Sequence, residues 1–296
     1  MRKLKMITRR DAIEFNLEKP TPFVFVDLKY TGKTDTLILK SQAANQDGAT
    51  VWNVQYESRE MELSGFVYGE TRQELDANWQ RLHSLMSSKE QIRFEYTNHI
   101  GSYWINGLIS GIPDEGARVQ KVGHYKPVTC TIYCADPLWK IIGPKQSAYF
   151  SRYGMFKFPF SIPPPGIQFG ASGYRVAIVN IGDAVAPIEI RIMGPAINPR
   201  IENVTTGEHM EFYYTLSADE ELYINTTPTQ EAITLINHST GNSRNAFDLL
   251  LNVDEQGWEF ITIAPGENRI RYIYPKNTVI PPVVMLQWQI LLGGVL

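Results

Sequence analysis

The residues that usually carry protein chemistry are few and scattered in this sequence. Its five histidines, His83, His99, His124, His209 and His238, form no cluster with metal-ligand spacing. Each reads as a surface or packing residue. The two cysteines lie in Cys130-Thr-Ile-Tyr-Cys134. A β-branched and aromatic stretch of this kind reads as a strand, where residues at even spacing face the same way. Their Cα atoms would then be roughly 13 Å apart, too far for a disulfide, so both read as small buried hydrophobes. Asp219-Glu220-Glu221 is the densest acidic run. A calcium loop alternates several oxygen ligands, whereas this run directly precedes a strand and reads as a solvated turn. Gly-x-Ser-x-Gly, His-Glu-x-x-His, a phosphate loop and Gly-x-Gly-x-x-Gly are all absent. The expectation is no catalytic residue, no metal and no cofactor: not an enzyme.

Sugar binding is the alternative chemistry, because β-sandwiches stack sugars on exposed aromatics and the sequence has six tryptophans. Ala196-Ile197-Asn198-Pro199-Arg200 resembles the galectin stretch His-x-Asn-Pro-Arg, with Ala196 in the histidine position. Asn198, Arg200 and Trp258 are the candidate sugar contacts. The competing reading is that Asn198-Pro199 shapes the turn into a strand.

The elements that would position such residues are mostly strands. Period-two runs cover residues 23–28, 37–39, 51–56, 61–67, 92–96, 103–105 and 127–134, with Phe23, Phe25 and Asp27 expected opposite Val24, Val26 and Leu28. One helix interrupts them, about residues 71–88. Thr71-Arg-Gln-Glu74 has the form of a capping box, and Leu75, Trp79, Leu82 and Met86 follow at helical spacing with Leu85 and Ala77 beside them. Asp136-Pro137 breaks the last strand. Residues 146–173 read as a Pro/Gly-rich connector, since Pro163-Pro164-Pro165 fits neither helix nor central strand. Beyond it, strand candidates with short turns at 175–180, 188–193, 211–216, 221–225, 232–236, 247–251, 258–263 and 270–274 suggest a β-sandwich. The apolar run after Pro281 reads as a buried terminal strand of that sandwich, too short and interrupted to span a bilayer. No secretory signal is expected from the basic start MRKLKMITRR, which lacks an apolar core.

The bulk numbers fit this picture. A chain of 296 residues, 43% hydrophobic and 20% charged, has the composition of a folded protein, and its length predicts two domains, with one large domain as the alternative. Its formal net charge of -3 argues against a dedicated nucleic-acid binder, which draws affinity from many cationic phosphate contacts.

The order of elements is distinctive. The helix TRQELDANWQRLHSLM is followed by IRFEYTNHIGSYWINGLISGI and TIYCADPLWK. The second half adds GDAVAPIEIRIMGPAINPRIENVTTGE and PGENRIRY. In this order and spacing the sequence resembles, over nearly its whole length, the distal tail protein family of long-tailed phages, mostly of Gram-positive hosts. In one place it departs. Many members carry a Gly-Arg-Asp-Gly-like turn where this chain has SQAANQDGATV, keeping only Asp47-Gly48.

The resemblance implies a mainly β protein with three parts. Residues 1–145 would be a ring-forming β-sandwich-like domain with the one amphipathic helix, 146–173 the connector, and 174–296 a galectin-like β-sandwich with an apolar tail. It implies a virion structural protein at the distal end of the tail, made in the host cytoplasm. This baseplate hub would form a hexameric ring joining the tail tube to the tip and letting DNA pass without specific binding. Its implied partners are copies of itself, the tail tube protein, the tail tip or tail-associated lysin protein, and receptor-binding proteins; no membrane is involved. The alternative is a carbohydrate-binding β-sandwich module for host attachment. The segment Thr31–Thr50, polar, turn-rich and lying between strands, is the candidate clasp on the neighbouring subunit, with Asn45, Asp47 and Gly48 as interface residues.

Overall fold

Most of the alternating segments of the first half pair into one antiparallel sheet with a buried apolar face. The computed structural model describes residues 2–17, 21–32, 34–87, 89–111, 125–150, 174–251, 253–254, 257–258, 260–273 and 283–295. It divides into two compact units, Met1–Gly143 with Leu291–Leu296, and Pro144–Ile290.

In the first unit the strands are β1 (Lys3–Ile7), β2 (Ala12–Asn16), β3 (Phe23–Lys29), β4 (Thr36–Ser41), β5 (Thr50–Tyr56), β6 (Arg59–Tyr68), β7 (Ile92–Thr97), β8 (Ser102–Ile109), β9 (Tyr125–Cys134) and β10 (Trp139–Ile141), with helix α1 (Arg72–Met86) between β6 and β7. The main sheet runs β2-β1-β7-β8-β9-β6-β3. Along β6 and β9 alternate residues turn inward, so Met61, Leu63 and Val67 bury beside Val128, Cys130 and Ile132. Cys130 and Cys134 share this inward face and are free thiols. Burial in this apolar setting pushes both up to about 12.

The expected facing of β3 is corrected. Phe23 and Phe25 share a buried face, but Leu28, expected on the opposite side, joins them, and Val26 is exposed. The register jumps from Phe25↔Gly65 to Asp27↔Ser64, a β-bulge. One extra residue reverses the alternation downstream, so Asp27 leaves the core side. Gly65 fits this crowded point because a Cβ there would sit 2.6 Å from the Val24 carbonyl oxygen.

Helix α1 begins as its cap foretells. The Thr71 hydroxyl accepts from the Glu74 backbone N–H at 3.2 Å. The Glu74 carboxylate accepts from the Glu70 N–H at 2.9 Å, one residue outside the reciprocal capping-box partner. Leu75, Trp79, Leu82, Leu85 and Met86 are buried. Ala77, expected beside that stripe, is exposed, because it lies about 200° round the helix from Leu75.

Among the described residues the second unit has two larger antiparallel sheets and two short two-stranded ribbons. One runs Gln146–Phe150, Val283–Trp288, Ala186–Met193, Glu220–Asn225, Ala232–Asn237, Ser243–Asn245 in that order. The other runs Tyr174–Asn180, Gly266–Ile273, Arg200–Asn203, His209–Glu211. Ile188, Ile190 and Ile192 of the first and Ile201, Ile270 and Tyr272 of the second belong to one core. Three sequence readings change here. Residues 146–150, expected in the connector, form a strand; the rest of that connector lies outside the described residues. Phe247–Leu249 is a turn of 3-10 helix rather than a strand, set up where the Asn245 side chain accepts from the Phe247 N–H at 3.0 Å. Glu221 is not solvated: its carboxylate accepts from Arg191 at 2.6 Å and meets His238 Nε2 at 2.9 Å.

The end of the chain is divided. Val283–Trp288 is a strand of the second unit, paired with Ala186–Met193. Residues 291–296, expected in the second domain, belong to the first unit. Leu291–Leu292 pairs with β10, and Val295 is buried in the first core, where an apolar side chain gains more than on a sandwich surface.

Candidate assembly interface

Among the described residues, strands β4 and β5 pair only with each other. The chain leaves β3 through Tyr30, a non-glycine residue at φ +62°, which turns it out of the sheet. The Glu57 N–H donates to the Asp35 carbonyl at 2.9 Å and closes the base of the hairpin. At the far end the Gln46 N–H donates to Ala43 O at 3.1 Å, and the Gln46 side chain donates to Thr50 Oγ1 at 3.0 Å. Gly48 holds φ +82°, where a side chain would strain the turn. Trp52 Nε1 donates to Ser41 Oγ at 2.6 Å across the two strands.

The candidates Asn45, Asp47 and Gly48 all lie at this tip and are exposed. Sequence reasoning did not single out the shaft. Leu37, Ile38, Leu39, Val51, Trp52, Val54 and Tyr56 are exposed, from 43% at Leu39 to 72% at Trp52. Neither face of the hairpin turns to a core, since every β5 residue is exposed. A free two-stranded hairpin is marginal in water, and contiguous apolar surface of this kind marks an interaction site. Covering Trp52 alone is worth on the order of 3–4 kcal/mol before ordering costs, at about 25 cal/mol per Å². The available signal was Leu37-Ile38-Leu39, an apolar run without the alternation of a half-buried strand.

The candidate sugar contacts fall on three separate elements. Asn198 sits at φ +44° in the turn before Arg200, with its N–H donating to Tyr214 O at 2.9 Å. Arg200 donates to the Glu211 carboxylate at 2.9 Å, so a neighbouring strand already engages its guanidinium. Trp258 lies in the short ribbon where Val253 pairs with it; its side chain is outside the described residues. Among the described residues no group of three or more His, Cys, Asp or Glu could hold a metal ion, and no helix is long and apolar enough to cross a membrane.

No family model and no curated protein matches the sequence. Solved structures do match. The crystal structure of the Dit protein of phage SPP1, described as a paradigm of the hub adsorption apparatus in phages infecting Gram-positive hosts, aligns at a TM-score of 0.65 and 14% identity, covering 96% of this chain and 98% of that one. The baseplate of phage p2 in its activated conformation with strontium or calcium aligns at TM-scores of 0.47 and 0.48 and identities of 12% and 13%, each covering 98% of both chains. The chain therefore has the mainly β fold of the SPP1 Dit protein over nearly its whole length.

Proposed function

We propose that this chain is a structural protein of a phage tail: a distal tail hub whose first unit closes into a hexameric ring between the tail tube and the tip. The observation that carries the reading is the free-standing β4–β5 hairpin, apolar on its shaft, in a chain with the SPP1 Dit fold. A projecting arm that docks on a different surface of the next copy makes a heterologous contact, and such contacts repeat around an axis until the ring closes. The arm can also add to an exposed strand edge of its neighbour by main-chain hydrogen bonds. A net charge of -3 suits a conduit, since many cationic phosphate contacts would hold DNA in the lumen. In this reading the second unit is a galectin-like sandwich facing outward and holding receptor-binding proteins. The tube protein and the tip or tail-associated lysin protein bind the two rims, and the chain has no catalytic role.

The test is light scattering coupled to size exclusion over a concentration series, with and without the tail tube protein, and negative-stain images of the largest species. The expected species is a closed ring with a central hole, near six times the 33.7 kDa chain mass. A chain that stays monomeric at every concentration with the tube protein present would contradict the reading.

A further inference from the structure

Arg59 is the first residue of β6, directly after the hairpin, and its side chain is buried. Among the described residues its acceptors are all neutral oxygens. Nε donates to Pro137 O at 3.0 Å, and Nη1 donates to Tyr30 O at 3.0 Å and to Gly32 O at 2.7 Å. Nη2 donates to Gly293 O at 2.5 Å and to the Thr34 hydroxyl. Burial lowers its pKa from the usual arginine range, the mark of a cation taken out of water without full compensation. A buried charge is costly unless its donors are satisfied, so these bonds define its position closely.

The carbonyl of Gly293 is shared. It also accepts from the Thr34 N–H at 3.2 Å and the Thr34 hydroxyl at 3.0 Å. Two residues on, the Val295 N–H donates to Thr31 O at 2.8 Å. The last residues before the hairpin and the first after it thus meet at one point on the C-terminal segment. That segment is itself fixed by the pairing of Trp139 with Leu292 and by the burial of Val295. Tyr30, whose carbonyl Arg59 holds, is the residue in the left-handed region where the chain turns out of the sheet. A non-glycine residue holds that conformation only where the surroundings enforce it.

We infer that Arg59 and residues 291–295 form a clasp that sets the direction in which the β4–β5 hairpin leaves the first unit, making Arg59 a positioning residue for assembly. The inference rests on the hairpin being the assembly contact. Lysine could not replace it, because one ammonium cannot spread donors over five separated acceptors.

The test uses the full chain. Spin labels go on Asn45→Cys at the hairpin tip and Gln73→Cys on the exposed side of α1; the two native thiols are buried and stay unlabelled. The tip-to-helix distance distribution is measured in the monomer by pulsed electron resonance for the labelled parent, Thr34→Val, Arg59→Lys and Arg59→Met. The unlabelled versions are assayed for association. The expected result is a narrow distribution in the parent, broadened in all three variants, with association weakened about tenfold or more and the second unit's melting unchanged. If Arg59→Met does not fold, Thr34→Val carries the test alone. Unchanged distributions would overturn the clasp, and broadened distributions with unchanged association would overturn its role in assembly. Trp52→Ala separates the two ideas: if it leaves association untouched, the ring reading fails, while the distance data still decide the clasp.

Discussion

The first unit contains two antiparallel ribbons with opposite fates. In β6–β9, ten residue pairs run from Arg59↔Cys134 to Tyr68↔Tyr125, and strict alternation puts one face in the core. In β4–β5, apolar residues stand side by side and both faces meet solvent. β5, with Val51, Trp52, Val54 and Tyr56, has stronger β-formers than β6, with Glu60, Glu62, Ser64 and Gly65, yet β6 is the buried strand, so propensity does not decide their fates. The pattern does: alternation serves a strand with one buried face, and contiguous apolar residues serve a ribbon covered on more than one side. The first ribbon gains its burial within the chain; in the proposed assembly the second gains it from a neighbour.

The sharpest break of that contrast is a truncation in each ribbon. Leu63→Ala should destabilise the first unit by about 2–5 kcal/mol through lost burial and a cavity, while Trp52→Ala should change monomer stability by no more than about 0.5 kcal/mol. Urea unfolding of the monomer followed by circular dichroism reads both. Equal losses would mean the hairpin shares the core.

Alkaline pH should strike the same two ribbons unequally. In the fold Cys130 and Cys134 are pushed up to about 12 from an ordinary value near 9. Between those values the unfolded chain releases thiol protons that the native chain keeps. The stabilisation is therefore complete below about pH 9 and is lost as pH rises towards 12, with a limiting slope of about 1.4 kcal/mol per pH unit per thiol. Hydrogen exchange, corrected for its intrinsic pH dependence, should show β6–β9 loosening between pH 8 and 10.5 with little change in β4–β5. At pH 8 the native thiols should resist a thiol reagent that modifies them readily in denaturant.

The smallest effect belongs to the helix that follows β6. Thr71→Ala removes the acceptor for the Glu74 N–H and should cost about 1 kcal/mol, read by thermal or urea unfolding, with association unchanged. A loss of association there would show that the interface extends onto α1.

Much of this architecture is legible in the residues themselves. The α1 cap and stripe, the β7–β8 hairpin turning at Asn98 and the inward pair Cys130 and Cys134 follow from local spacing. What is not legible depends on distant partners. The bulge at Val26 is fixed by register against β6, not by anything in the strand alone. Glu221 reads as solvated until Arg191 and His238 are seen beside it. Residues 291–295 are apolar under any reading, but only the fold shows that they serve the first core. Asn45, Asp47 and Gly48 lie together at the exposed hairpin tip, while the exposed apolar side chains lie on the shaft, which reading by residue type did not single out.

The central claim is that this shaft joins one copy to the next. Sedimentation velocity over a concentration series, comparing the wild type with the double variant Leu39→Asp/Val54→Asp, tests it most directly. The account predicts that the wild type moves with concentration towards a closed ring, while the variant stays a folded monomer with the wild-type melting temperature. A variant that assembles as the wild type does would contradict it.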